Sequence, residues 1–210
     1  MYLFYILGLF SFCYFFKNIK KYFFERILLW SGYKFELNTF NMPTKCIIIG
    51  SHTSIYDFFI GLFYYYAFFH EKYNTYILMK KQFEIVCTPI LSYLDNRFKL
   101  ISVDTYKNGL TEKICKNLQN KDNYILYIAP EGTRKCTETL KSGYWYIAKE
   151  LDIEIIYFGI DFLSKKIILE KSRKVKDTWE EEQKEFINSC KKYVPLYPER
   201  CFWTKDFYKK

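Results

Sequence analysis

Apolar and polar positions divide the chain into an apolar N-terminal stretch, an amphipathic stretch, and then a regular succession of short apolar runs and longer periodic ones. Residues 1–16, MYLFYILGLFSFCYFF, hold no charged side chain, and the run falls slightly short of the ~20 apolar residues that cross a bilayer comfortably. It has neither the basic leader nor the small-residue cleavage site of a secretory signal, so it is expected to stay in the mature protein. In the following KNIKKYFFERILLWSGYKFEL, Ile19, Tyr22, Phe23, Ile27 and Trp30 recur near helical spacing, with Lys17, Lys20, Lys21 and Arg26 among them. That pattern suits a helix lying among lipid headgroups, or else a core helix behind a hydrophobic one.

Past Pro43 the short runs 46–49 (stopped by Gly50), 76–79, 100–103, 124–128 (stopped by Pro130) and 153–160 are rich in β-formers and predict buried strands. Between them, 57–69, 83–94, 108–119 and 144–151 suit helices. The alternation predicts an α/β fold: a single domain with a mostly parallel sheet flanked by helices. It spans residues 41–210, with 1–40 as an N-terminal hydrophobic and amphipathic helical membrane attachment. Residues 174–193, including WEEEQKEF, read as a helix with a solvated face. A chain of 210 residues can bury one sizeable core and gives no reason to posit a second.

Composition narrows the class. Half the residues are hydrophobic and 26% are charged, which fits neither disorder nor a polytopic membrane protein. The net charge of +9 favours an anionic partner. No dense basic stripe, RNA-recognition aromatics or zinc-finger spacing accompanies it, so nucleic acid is not expected. Seven scattered cysteines without a CxxC pair read as reduced, mostly buried thiols of a cytosol-facing domain. With only His52 and His70 as imidazoles and no cysteine at ligand spacing from either, no metal site is expected.

Two blocks carry candidate chemistry. Gly50-Ser51-His52-Thr53-Ser54-Ile55-Tyr56-Asp57 stands where a strand ends and a helix begins, the edge at which open α/β sheets bind ligands. Residues five apart on one helix point away from each other, so His52 must lie in the turn. Thr53 or Ser54 then caps the helix, and Asp57 falls in its first turn, where it can hold the imidazole as general base. No G-x-S-x-G elbow exists in the chain, so the nucleophile is expected to be the substrate's own hydroxyl. Pro130-Glu131-Gly132-Thr133-Arg134 follows another strand and belongs to the same edge if the two strands are parallel. Gly132 permits close approach, Thr133 offers a hydroxyl, and Arg134 supplies a planar fork for phosphate. Glu131 is expected to fix Arg134 or to contact an acceptor hydroxyl. A polar turn with a surface arginine is the plainer alternative.

Together, SHTSIYD and PEGTR, about 80 residues apart, resemble the motif blocks of the glycerolipid acyltransferase family, the lysophosphatidic acid acyltransferases and their relatives. The resemblance runs from about Cys46 to Asp161 and includes LISVD and the helix and strand of KSGYWYIAKELDIEIIYFGI. It implies direct transfer of an acyl group from acyl-CoA to a lysophospholipid hydroxyl, most simply that of 1-acylglycerol-3-phosphate, in phospholipid biosynthesis or remodelling. His52 and Asp57 would be catalytic, Glu131, Gly132, Thr133 and Arg134 would bind the acceptor, and amides around Gly132 would face the oxyanion. No cofactor is implied. The implied partners are the membrane phospholipid surface, the lysophospholipid and acyl-CoA. Two departures stand out: Thr105 replaces an arginine that the family carries just after the LISVD-like stretch, with Arg97, Lys99 and Lys107 nearby, and 153–159 lacks the family's proline. A lipid esterase or thioesterase using the same pair, and a noncatalytic lipid-binding protein, are the alternatives.

Overall fold

The structure is a computed structural model; it describes residues 20–35, 42–81, 95–103 and 109–204, with Ile85 and Thr88 between the second and third stretches. The apolar run 1–16 lies outside the described residues, as does most of the helix expected at 83–94.

Seven strands form one sheet: β1 (Lys34–Phe35), β2 (Lys45–Gly50), β3 (Asn74–Lys80), β4 (Phe98–Val103), β5 (Tyr124–Ile128), β6 (Glu154–Asp161) and β7 (Lys166–Leu169). Their spatial order is β1-β7-β6-β2-β5-β3-β4. Every pairing is parallel except β6 with β7. Among the described residues, five continuous helices flank the sheet: α1 through residues 20–30, α2 (Ile55–Phe68), α3 (Leu110–Leu118), α4 (Gly143–Glu150) and α5 (Trp179–Cys190). The expected α/β architecture is therefore present. The sequence reading missed β1 and β7, and the antiparallel hairpin makes the sheet mixed.

Alternation along β2 sets the layers. Ile47 and Ile49 point into a core shared with Ile114 and Leu118 of α3, Ile147 of α4 and Phe186 of α5. Cys46 and Ile48 point the other way, to Leu28 of α1 and Tyr64, Tyr65 and Tyr66 of α2. A strand covered on both faces needs an unbroken apolar run, and KCIIIG is one. Phe24 of α1 stacks on Phe63 and Tyr66 of α2 with ring centroids 5.2 and 4.8 Å apart. No helix among the described residues is long and apolar enough to cross a membrane.

The chain leaves β2 toward the α2 face and leaves β5 toward the α4 face. Adjacent strands whose following helices diverge to opposite faces leave a crevice at their carboxyl ends. Ile49 pairs with Ile128, so His52 and Glu131, each three positions further on, emerge at the same height on either side of that crevice.

Candidate active site

Ser54 is the N-cap of α2. Its hydroxyl accepts from the Asp57 amide at 3.2 Å, while Asp57 Oδ2 accepts the Ser54 and Thr53 amides at 2.7 Å each. This reciprocal cap satisfies donors that the helix start would otherwise orphan, and it fixes the carboxylate at the positive end of the helix dipole. His52 lies in the turn before the cap with Nδ1 3.6 Å from Asp57 Oδ2. That separation is electrostatic contact and longer than a formed hydrogen bond. The His52 side chain is 29% exposed and that of Asp57 11%, so the imidazole reaches solvent while its carboxylate is shielded.

Glu131 joins the two loops. Its Oε1 accepts the Ser51 hydroxyl at 2.7 Å and its Oε2 the His52 amide at 2.8 Å. Only 4% of the residue is exposed, and burial pushes its carboxyl above the ordinary value of 4.5 while the Ser51 and His52 hydrogen bonds pull it back. Both oxygens of Glu131, expected to fix Arg134 or contact an acceptor hydroxyl, accept from the loop that carries His52.

The rest of the second loop is a tight turn. The Gly132 amide donates to the Ala129 carbonyl at 3.0 Å, so that amide serves the turn and not an oxyanion. Gly132 sits at φ +63°, and the Lys141 side chain lies along it, so close that a Cβ there would come within 2.7 Å of Nζ. Thr133 Oγ1 accepts the Lys135 amide at 3.2 Å, and Arg134 is exposed.

A third segment, to which the sequence reading assigned no role in the site, completes the surroundings. The 3-10 turns Pro198–Arg200 and Phe202–Thr204 return to the crevice. Arg200 Nη1 donates to the Thr53 carbonyl at 3.3 Å across 147 residues of sequence. Cys201 is fully buried, and its carbonyl accepts Cys136 Sγ at 3.5 Å. Burial and the nearby Glu131 and Asp57 carboxylates push the Cys201 thiol up, which makes it inert packing at the junction of both loops. Of the cations near Thr105 in sequence, Arg97 and Lys99 are placed elsewhere. Arg97 sits before β4, donating to the His70 and Glu71 carbonyls, and the Lys99 ammonium lies 5.8 Å from the Tyr76 ring centroid. Both belong to the amino-end half of the sheet, away from His52, and Lys107 is outside the described residues.

A histidine beside a capped carboxylate, clamped to a loop with an arginine, can take a proton from an alcohol while an anion is held nearby. A search of curated proteins and of solved structures gives no match. The family model described as Acyltransferase matches residues 36–161, from before β2 to the end of β6 and across both motif loops. With more than half its length matched, the chain belongs to the acyltransferase family.

Proposed function

We propose that this acyltransferase moves a fatty acyl group from acyl-CoA to the free hydroxyl of a lysophospholipid, with 1-acylglycerol-3-phosphate as acceptor, at a membrane surface. The observation that carries the reading is the double tie of His52. Its ring faces Asp57, and its amide is held by Glu131, in the loop that presents Arg134. With Nδ1 toward Asp57, Nε2 takes the acceptor's hydroxyl proton as the oxygen attacks the thioester carbonyl. The tetrahedral intermediate collapses by breaking the carbon–sulfur bond, and the departing thiolate recovers the proton from the imidazolium. Arg134 holds the acceptor phosphate, turning a bimolecular encounter into a positioned one.

Support for the membrane setting comes from the surface around the site. Tyr22, Phe23, Leu29 and Trp30 of α1 are exposed, as are Ile55, Tyr56 and Phe59 on the first turns of α2. Tyr56, Phe59 and Phe63 share one helical stripe, and Phe24 of α1 covers its far end. The apolar surface therefore runs up to the turn that bears His52. The +9 charge would draw it toward acidic lipid.

The test incubates purified protein with labelled acyl-CoA and a panel of lysolipids. His52→Ala should cut kcat by about 10³-fold or more, and Asp57→Asn by a comparable factor. Arg134→Ala should erase the preference for phosphate-bearing over neutral acceptors. Full activity in His52→Ala would sink the mechanism, and release of free fatty acid with no lysolipid requirement would make the protein a hydrolase.

A further inference from the structure

A phosphate monoester carries a charge of about −1.5 to −2 near neutral pH and three acceptor oxygens, more than a single guanidinium satisfies. The motif loops contribute one, Arg134. Arg97 and Lys99, described cations that precede the Thr105 position, are held in the amino-end half of the sheet.

Among the described residues, Arg200 is a cation that the fold carries to the His52 turn from outside the motif loops. Its Nη1 bonds the carbonyl of Thr53, the residue next to His52, and its guanidinium stacks 4.0 Å from the Tyr197 ring centroid. Stacking and a backbone acceptor fix the plane of the fork while leaving other N–H donors of the guanidinium for an anion. Glu199 lies 3.9 Å from Nε, but both side chains are largely exposed, and such a pair is weak and screened. The position is not a loose tail. Cys201, the next residue, is fully buried, with Glu131 and Asp57 in electrostatic reach and its carbonyl bonded by Cys136. Arg200 also lies beyond residues 36–161, so the cation belongs to this chain's own C-terminal segment and not to the matched part.

We infer that Arg200 is a specificity-determining residue: its guanidinium joins that of Arg134 in holding the acceptor's phosphate beside His52. The inference rests on the acyl transfer proposed above, and the experiment separates the two. Wild type, Arg200→Gln and Arg200→Lys are compared as full chains in mixed micelles, with lysophosphatidic acid as acceptor and one acyl-CoA as donor. Calorimetry of sn-glycerol 3-phosphate binding is run beside the kinetics. A charge-assisted hydrogen bond is worth about 10- to 100-fold in affinity. Arg200→Gln should therefore raise the acceptor KM by about that factor, with donor KM and kcat within about twofold of wild type. Arg200→Lys, keeping charge without the fork, should fall between. Weaker glycerol 3-phosphate binding in Arg200→Gln should accompany the change. A rise in donor KM would assign the guanidinium to the phosphates of acyl-CoA and overturn the inference. A fall in kcat at unchanged acceptor KM would make Arg200 a prop for the Thr53 carbonyl, and unchanged kinetics would remove it from the site. If wild type transfers no acyl group, the proposed function fails and calorimetry decides Arg200 alone: binding lost in Arg200→Gln sustains its role, whereas equal binding, or none in wild type, ends it.

Discussion

Glu131 is the residue whose chemistry and structural duty are hardest to separate, because its nearly fully buried carboxylate accepts, among the described residues, from the Ser51 hydroxyl and the His52 amide. Burial raises its folded pKa above 4.5, so in the window between that value and the raised one the native state holds more protons than the unfolded chain. Stability from this group therefore falls as pH rises through the window and is level above it. Urea unfolding across a pH series should show that slope in wild type and lose it in Glu131→Gln. Glutamine keeps both contacts, accepting from His52 and donating to the Ser51 oxygen, so its activity should stay within several-fold of wild type. Glu131→Ala releases the His52 loop and should cost about 10²-fold in kcat. The sequence marked Glu131 as functional through its place in PEGTR, but not its partner, because a bond across 80 residues leaves no local trace. Asp57 was legible for the opposite reason: its partners Ser54 and Thr53 are three and four residues away, within the reach of capping rules.

At the level of elements, the long apolar runs were read closely, and 124–128 coincides with β5, since a strand buried on both faces announces itself by composition. The two-residue β1 and the four-residue β7 carry no comparable run. They are strands only because β7 folds back on β6 and offers β1 an edge. The packing of α5 on β6 depends on a missing side chain. The Tyr193 ring lies directly on Gly159, where a Cβ would overlap the ring carbons. Tyr193 is itself buried, with its hydroxyl donating to Cys190 Sγ at 3.3 Å and Trp203 at its edge. Gly159→Ala must push that ring and the 202–204 turn outward, an overpacking cost of about 1–3 kcal/mol, read as a fall of about 5 °C in Tm. An unchanged Tm would mean that Tyr193 does not rest on the strand. On the same helix, buried Glu182 accepts from Arg173, Tyr144, Tyr157 and the Lys176 amide, so its charge is paired in full and it serves to fasten α5 to β6.

Over the whole molecule, exposed aromatics of α1 and of the first turns of α2 form the surface proposed to meet the membrane. Trp30 is 90% and Phe23 51% exposed, and burying either in lipid is worth about 1.5–3 kcal/mol. Phe23→Glu with Trp30→Glu should lower binding to vesicles containing acidic phospholipid by about 100-fold in a sedimentation assay, while turnover of micelle-dispersed acceptor changes little. Undiminished sedimentation would rule this surface out as a membrane contact. The sequence disclosed this surface as an amphipathic pattern and left it open between a headgroup helix and a core helix; Phe24, Leu28 and Tyr33 pack in the α2-side core, and β1 joins the sheet. Strand order carries a further consequence, for synthesis. β2 leaves the ribosome before either neighbour, since β5 and β6 end at residues 128 and 161, and β1 meets no partner until β7 ends at residue 169. The KCIIIG run therefore waits unpaired while the residues up to β5 are made, exposed to the association that unsatisfied apolar strands invite, and a nascent chain stalled before residue 198 would hold His52 and Arg134 without the turn that brings Arg200.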